Sequence, residues 1–131
     1  MPIGDSASPE EERVAGIVVD AIFKVHDRFG PGLLESAYEI CLYHELLNRG
    51  LRVRRQVEVP VVYDRIRLDA GFRLDLLVEE SVIIETKAVE KLNPVCEAQV
   101  ITHLKLMNLR LGFLVNFNVK LIKDGIKRII L

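Results

Sequence analysis

Asp75, Glu85 and Lys87 are the residues of this 131-residue chain whose types and spacing could do chemistry together. Two runs of alternating character, 71–78 and 82–88, flank a short Glu79-Glu80-Ser81 connection, which reads as a β-hairpin. With the hairpin centred near Glu80, the numbers of facing residues sum to about 160, so Asp75 faces Glu85 and Arg73 faces Lys87. One face then carries Phe72, Leu74, Leu76, Val78, Val82, Ile84, Thr86 and Ala88 and packs on a core. The other carries Arg73, Asp75, Leu77, Ile83, Glu85 and Lys87. Two opposed carboxylates repel unless something positive lies between them. A hard divalent cation suits the place, because Mg²⁺ takes oxygen ligands, one or two protein carboxylates among them, and keeps waters for the rest. Lys87, on the face of Glu85, could orient or deprotonate a water or stabilise charge developing on a phosphate. The plain alternative is that these three residues are a solvated strand face, with salt bridges from the carboxylates to Arg73.

The elements that must position this hairpin are legible around it. After a tail over residues 1–8, Ser8 is placed to cap a helix with Pro9 at its first position and Glu11 completing a capping box. Val14, Ile17, Val18, Ala21, Ile22, Val25 and Phe29 follow at helical spacing, and Gly30-Pro31-Gly32 stops the helix. A second helix is expected from about 33 to 49, with Leu34, Ala37, Tyr38, Cys41, Leu42 and Leu46 inward and Gly50 past its end. The period then changes to two over 51–59, a strand ended by Pro60, with a further short strand over 61–63 and a turn at Asp64-Arg65. Beyond the hairpin, Pro94 opens a third helix to about 108, with Val95, Ala98, Ile101, Leu104 and Leu106 inward. The run 111–117 is nearly all apolar, as in a strand buried on both faces. Lys123-Asp124-Gly125 is a turn before a last strand over 126–131. The order predicts an α/β fold, a mixed central sheet flanked by helices in one domain over 9–131.

Half of the residues are hydrophobic and 28% are charged, enough for a real core and ordinary for a globular chain. The net charge of −1 carries no general basic footprint of the kind nucleic-acid binders show, so any such surface must be local. Arg49, Arg52, Arg54 and Arg55 form one candidate basic cluster and Arg65, Arg67 and Arg73 another. They would either track a phosphate backbone or occupy the solvent face of strands. Cys41 and Cys96 form neither a CxxC nor a disulfide framework and read as free thiols of a cytoplasmic protein. No apolar run approaches a membrane span, and residues 1–8 do not read as a signal peptide.

With these residues in place, the chain resembles the GxxExxY proteins, assigned to the PD-(D/E)xK nuclease-like superfamily. The resemblance rests on Gly32-Leu33-Leu34-Glu35-Ser36-Ala37-Tyr38, Gly71-Phe72-Arg73-Leu74-Asp75, Glu85-Thr86-Lys87-Ala88-Val89, Glu97-Ala98-Gln99, Asn116-Phe117-Asn118 and Lys123-Asp124-Gly125-Ile126. It runs from about Val14 to Leu131. It implies a restriction-endonuclease-like core with Asp75 and Glu85-Thr86-Lys87 on adjacent antiparallel strands. It implies hydrolysis of phosphodiester bonds, in DNA, with Mg²⁺ as cofactor and Mn²⁺ as its substitute. By resemblance Asp75 and Glu85 hold the metal, the Thr86 carbonyl adds a ligand, Glu35 assists from an early helix, Lys87 acts on water or phosphate, and Gln99 positions substrate. Leu74 stands where the superfamily name implies Pro, Cys96 where His is expected, and His103 where related sequences carry Tyr.

From spacing alone Glu35 is equally a first-turn acid favoured by the helix dipole, and Tyr38 a packing residue with a hydrogen-bonding tip. Gln99 and His103, at i and i+4, are either a phosphate-facing pair or a plain polar helix face. His26 and His44 have no partner spacing and are expected to be solvated or capping. The competing function is a non-catalytic nucleic-acid-binding or protein-interaction module that keeps the nuclease fold. Homo-oligomerisation is expected on size, since one small domain offers little surface for gripping a duplex.

Overall fold

The structure, a computed structural model, describes residues 7–131; residues 1–6 of the expected tail lie outside them. Helix α1 spans Pro9–Phe29 and carries the expected capping box, with Ser8 and Glu11 each accepting from the other's backbone N–H. Helix α2 spans Glu35–Asn48. Strands β1 (Val53–Tyr63), β2 (Ile66–Val78) and β3 (Val82–Lys87) follow, then α3 (Pro94–Met107), β4 (Leu111–Asn116) and β5 (Ile126–Ile130). They form one five-stranded sheet in the order β1-β2-β3-β4-β5. All neighbours are antiparallel except β3 and β4, which α3 links as a parallel pair.

Helices cover both faces of the sheet. Val14, Val18, Ile22, Tyr38, Leu42 and Leu46 of α1 and α2 pack on Val53, Leu76, Val78, Val82, Ile84, Phe113 and Val115. On the other face Val100 and Leu104 of α3 pack on Val59, Leu74, Leu77, Ile83, Leu114 and Ile129. Strand β4 is buried along its whole length, as its unbroken apolar run predicts.

Several expectations are corrected. Strand β1 continues through Pro60 instead of ending there, because the pairing with β2 shifts register between Val59 and Val61 and so needs no N–H from the proline. Gly71 sits beside this shift, where a Cβ would lie 2.4 Å from a methyl carbon of Val61. Strand β2 therefore begins at Ile66, not Gly71. Leu34 is exposed, and Val95, Ala98 and Leu106 of α3 face outward. The inner face of α3 is Val100, His103 and Leu104, with Cys96, Ile101 and Met107 half-buried against the same core. His26 is buried, its ring Nε2 2.7 Å from the Val119 carbonyl oxygen, which ties α1 to the segment after β4.

That segment returns through a single 3₁₀ turn, Ile122–Asp124, to Gly125. A Cβ on Gly125 would sit 2.1 Å from the Asn116 carbonyl oxygen, a backbone atom that cannot swing aside. We expect Gly125→Ala to cost about 1–3 kcal/mol by overpacking. A thermal melt should show Tm falling by roughly 4–12 °C; an unchanged Tm would mean that the turn relaxes freely.

Candidate functional site

The hairpin register is the one the sequence predicts: Val78 pairs with Val82, Leu77 with Ile83 and Leu76 with Ile84. A turn with positive φ at both Glu79 and Glu80 closes it, held by a Ser81 N–H bond to the Val78 carbonyl. The next positions in that register are Asp75 and Glu85. There the ladder gives way to a side-chain bond: one oxygen of Asp75 accepts from the Thr86 backbone N–H at 2.8 Å and from the Thr86 hydroxyl at 3.1 Å. Thr86 is fully buried and so fixes that oxygen firmly.

The other side of Asp75 faces β1. Arg55 pairs with Leu76 and Val57 with Leu74, which sets Gln56 opposite Asp75. Gln56 has φ +54°, a left-handed conformation that is rare for a side-chain-bearing residue within a strand. At this point the β1–β2 ribbon changes faces. Val53, Leu76 and Val78 belong to the α1/α2 core, whereas Val57, Val59, Leu74 and Leu77 belong to the α3 side. Strict alternation would keep Leu74 with Leu76. The expected common face of Phe72, Leu74, Leu76 and Val78 is therefore split, and Phe72 packs edge-on against His103. Arg73 pairs with Glu58, 3.5 Å away on β1.

Gln56 donates from Nε2 to Glu39 at 2.8 Å and to the second oxygen of Asp75 at 3.3 Å. Glu39 is an acid of α2 with 4% exposure, and it also accepts from Arg55 at 3.0 Å. Burial raises its pKa, the Gln56 and Arg55 bonds oppose this, and the charge of Asp75 adds to the rise. Glu35, one turn earlier, is exposed and makes no hydrogen bond or ion pair among the described residues. The α2 acid brought to Asp75 is thus Glu39. The sequence does hold a signal for it: Glu39 stands three and seven residues before Leu42 and Leu46, inside the apolar stripe.

Glu85 lies on the α3 face of β3, buried at 8% exposure, with its Oε1 3.3 Å from Nδ1 of the buried His103. The two groups are close but not aligned as donor and acceptor. Glu85 Oε1 and both ring nitrogens of His103 are buried and have no hydrogen bond, and they are the only such side-chain atoms among the described residues. Burial raises the Glu85 pKa above the usual carboxylate range, the His103 contact lowers it, and Asp75 raises it further. Lys87 follows on the same face as Glu85 by alternation, half-buried and without an ion pair among the described residues.

The end of β3 is pinned from β4. Phe117 N–H bonds the Lys87 carbonyl, and the Asn116 side-chain amide bonds both the N–H and the carbonyl of Val89. Phe117 stacks on Tyr38 with centroids 4.5 Å apart, and the Tyr38 hydroxyl accepts from Leu33 N–H and donates to the Gly30 carbonyl. Tyr38 is therefore the expected packing residue with a bonded tip, and it joins the α1–α2 connection to the strand ends beside Lys87. Gln99 is exposed on α3, one turn from His103, and makes no bond among the described residues.

The two basic clusters do not form free phosphate tracks. Arg49 pairs with Asp20 and Glu45, Arg52 with Glu79, Arg54 with Glu80 and Arg55 with Glu39; Arg67 pairs with Asp69 and Arg73 with Glu58. Of the seven arginines only Arg65 lacks an ion pair among the described residues.

Among the described residues no group of three His, Cys, Asp or Glu side chains is arranged to hold a metal ion. The smaller requirement is met. The charge of Asp75 adds to the cost of ionising Glu85, and a buried carboxylate oxygen of Glu85 is left without a donor. A hard cation that takes one or two protein carboxylates and completes its shell with water fits this donor set. No helix among the described residues is long and apolar enough to cross a membrane.

A family model described as the PD-(D/E)XK nuclease superfamily matches residues 12–129. No curated protein and no solved structure matches the chain.

Proposed function

The chain belongs to the PD-(D/E)XK nuclease superfamily, and from that premise we propose that it is a Mg²⁺-dependent nuclease of the GxxExxY type that cleaves phosphodiester bonds of DNA. The observation that carries this reading is the concentration of unsatisfied buried polar atoms at Glu85 and His103, beside Asp75. Native structures leave few such atoms unpaired, and those they leave call for an explanation such as a bound ion.

In this reading Asp75 and Glu85 hold the cation, and the Thr86 carbonyl, between Glu85 and Lys87, adds a ligand. The α2 acid assigned to the site is Glu39 rather than Glu35. Held there, a divalent cation would supply polarisation of the phosphate and a lowered pKa for water, as such ions do in hydrolytic sites. Lys87 stands where its ammonium stabilises charge on the phosphate or orients the attacking water. Gln99, exposed on α3, contacts the substrate backbone. Cys41 and Cys96 are free thiols, which suits a cytoplasmic protein.

The paired arginines favour one other reading, a binding module that keeps the fold without cleaving. Cleavage assays on duplex DNA, single-stranded DNA and RNA, each with Mg²⁺, Mn²⁺ or a chelator, separate the two. Metal-dependent cleavage of DNA that the chelator abolishes is the expected result. Binding of any of these substrates without cleavage in either metal would establish the module instead.

A further inference from the structure

Resting on that reading of the site, we propose that Gln56 is a positioning residue: it spends backbone strain to hold the second oxygen of Asp75 in place for the metal, with Glu39 anchoring it from behind. Three independent observations meet at this residue. Its backbone is left-handed at φ +54° within an extended strand. The pairing on either side keeps one register, Arg55 with Leu76 and Val57 with Leu74, so no inserted residue forces the conformation. Its amide nitrogen bridges two carboxylates, Glu39 at 2.8 Å and Asp75 at 3.3 Å.

Such a conformation persists only where the surroundings over-determine it, and it clusters at functional sites. The surroundings here are identifiable. Glu39 is buried on α2, held in turn by Arg55, whose strand partner Leu76 lies in the same core. With Gln56 in a normal extended conformation the ribbon would not change faces, and Leu74 would no longer reach the α3 core with Val59 and Leu77. Asp75 would then be carried out of its place beside Thr86. The two donors to Asp75 come from opposite strands, Thr86 on β3 and Gln56 on β1, and together they fix both of its oxygens. Groups of this kind behind a metal ligand are worth about 10–100-fold in metal affinity when removed.

A purely structural role and a positioning role predict opposite pairs of results for Gln56→Gly. Glycine adopts positive φ without penalty, so the variant relieves strain while it deletes the amide. The test is Tm without metal, and Mn²⁺ affinity by calorimetric titration, for the parent, Gln56→Gly and Gln56→Ala. The expected result is Mn²⁺ affinity lower by about tenfold or more in both variants, although Gln56→Gly, which sheds the strain, melts above Gln56→Ala, which keeps it. Both variants leave buried Glu39 without its Gln56 donor, so that loss cancels between them. Parent-like Mn²⁺ affinity in Gln56→Gly overturns the proposal, as does an affinity that falls only in step with Tm. If the parent itself binds no Mn²⁺, the metal reading of Asp75 and Glu85 fails first, and the positioning role falls with it; parent binding with unaltered variants isolates the failure to Gln56.

Discussion

Lys87→Ala is expected to lower DNA cleavage by about 10²–10³-fold while leaving Mn²⁺ binding and Tm close to the parent's. The argument is one of placement. Lys87 makes no ion pair or hydrogen bond through its side chain among the described residues, so its removal leaves no partner stranded. Its backbone is held independently, by Phe117 N–H on its carbonyl and by the Asn116 amide on Val89, so the strand end survives the truncation. What is lost is a cation two residues beyond Glu85 on the same face. Asp75→Asn provides the contrast. It keeps an oxygen to accept from Thr86 but removes the charge that a divalent ion needs, so metal binding and cleavage should be lost together. Single-turnover cleavage and titration on the two variants check both statements. Lys87→Ala cleaving at the parental rate would remove the lysine from the mechanism, and Asp75→Asn binding Mn²⁺ as the parent does would move the metal elsewhere.

The parts of this fold that follow local rules were open to a reader of the sequence, and the parts that depend on a choice made by tertiary structure were not. Ser8, Pro9 and Glu11 announce the start of α1 because capping is a matter of three residues and their own backbone. The register of β2 with β3 follows from the length of the connection between them. The change of faces at Gln56 and Asp75 has no such local sign: the left-handed residue is neither Gly nor Asn, and the runs on either side alternate normally. Its cause is nonlocal, the bond from α2 through Glu39. Once it is missed, Phe72 falls on the wrong core. The inner face of α3 follows from the sequence only in part, at Ile101 and Leu104, for a related reason. Its buried stripe is Val100, His103 and Leu104, with Cys96 half-buried beside it, while Val95 and Ala98 lie outside; apolar residues stand all round this helix, so their spacing does not single out one face. The arginine clusters show the opposite failure. Adjacent positive charges are plain in the chain, but their partners Asp20, Glu39, Glu58 and Glu79 arrive from elsewhere and neutralise them.

Glu85→Gln should abolish metal-dependent cleavage and yet make the metal-free protein more stable at neutral pH. Glu85 is buried, its Oε1 has no donor, and Asp75 lies close enough to raise its pKa. A folded-state pKa above the unfolded value near 4.3 means that the folded chain binds the proton more tightly than the unfolded one. Its contribution therefore favours folding fully below about pH 4 and is lost as pH rises through the raised value. Gln cannot ionise, so it keeps the favourable form at every pH. The two proteins should melt together near pH 4 and separate as pH increases, with the variant ahead by about 1–3 kcal/mol at pH 8, the cost of a buried charged group left unsatisfied. Because the comparison is between two proteins differing at one site, the carboxylates whose pKa values are lowered, Glu45 and Glu79 among them, cancel. Mn²⁺ should then reverse the order: it stabilises the parent by mass action and leaves Glu85→Gln where it was. Melting curves from pH 4 to 8, with and without Mn²⁺, test this. A variant that melts below the parent at pH 8 without metal would show that Glu85 is held by compensating interactions and is not kept at a cost for the ion.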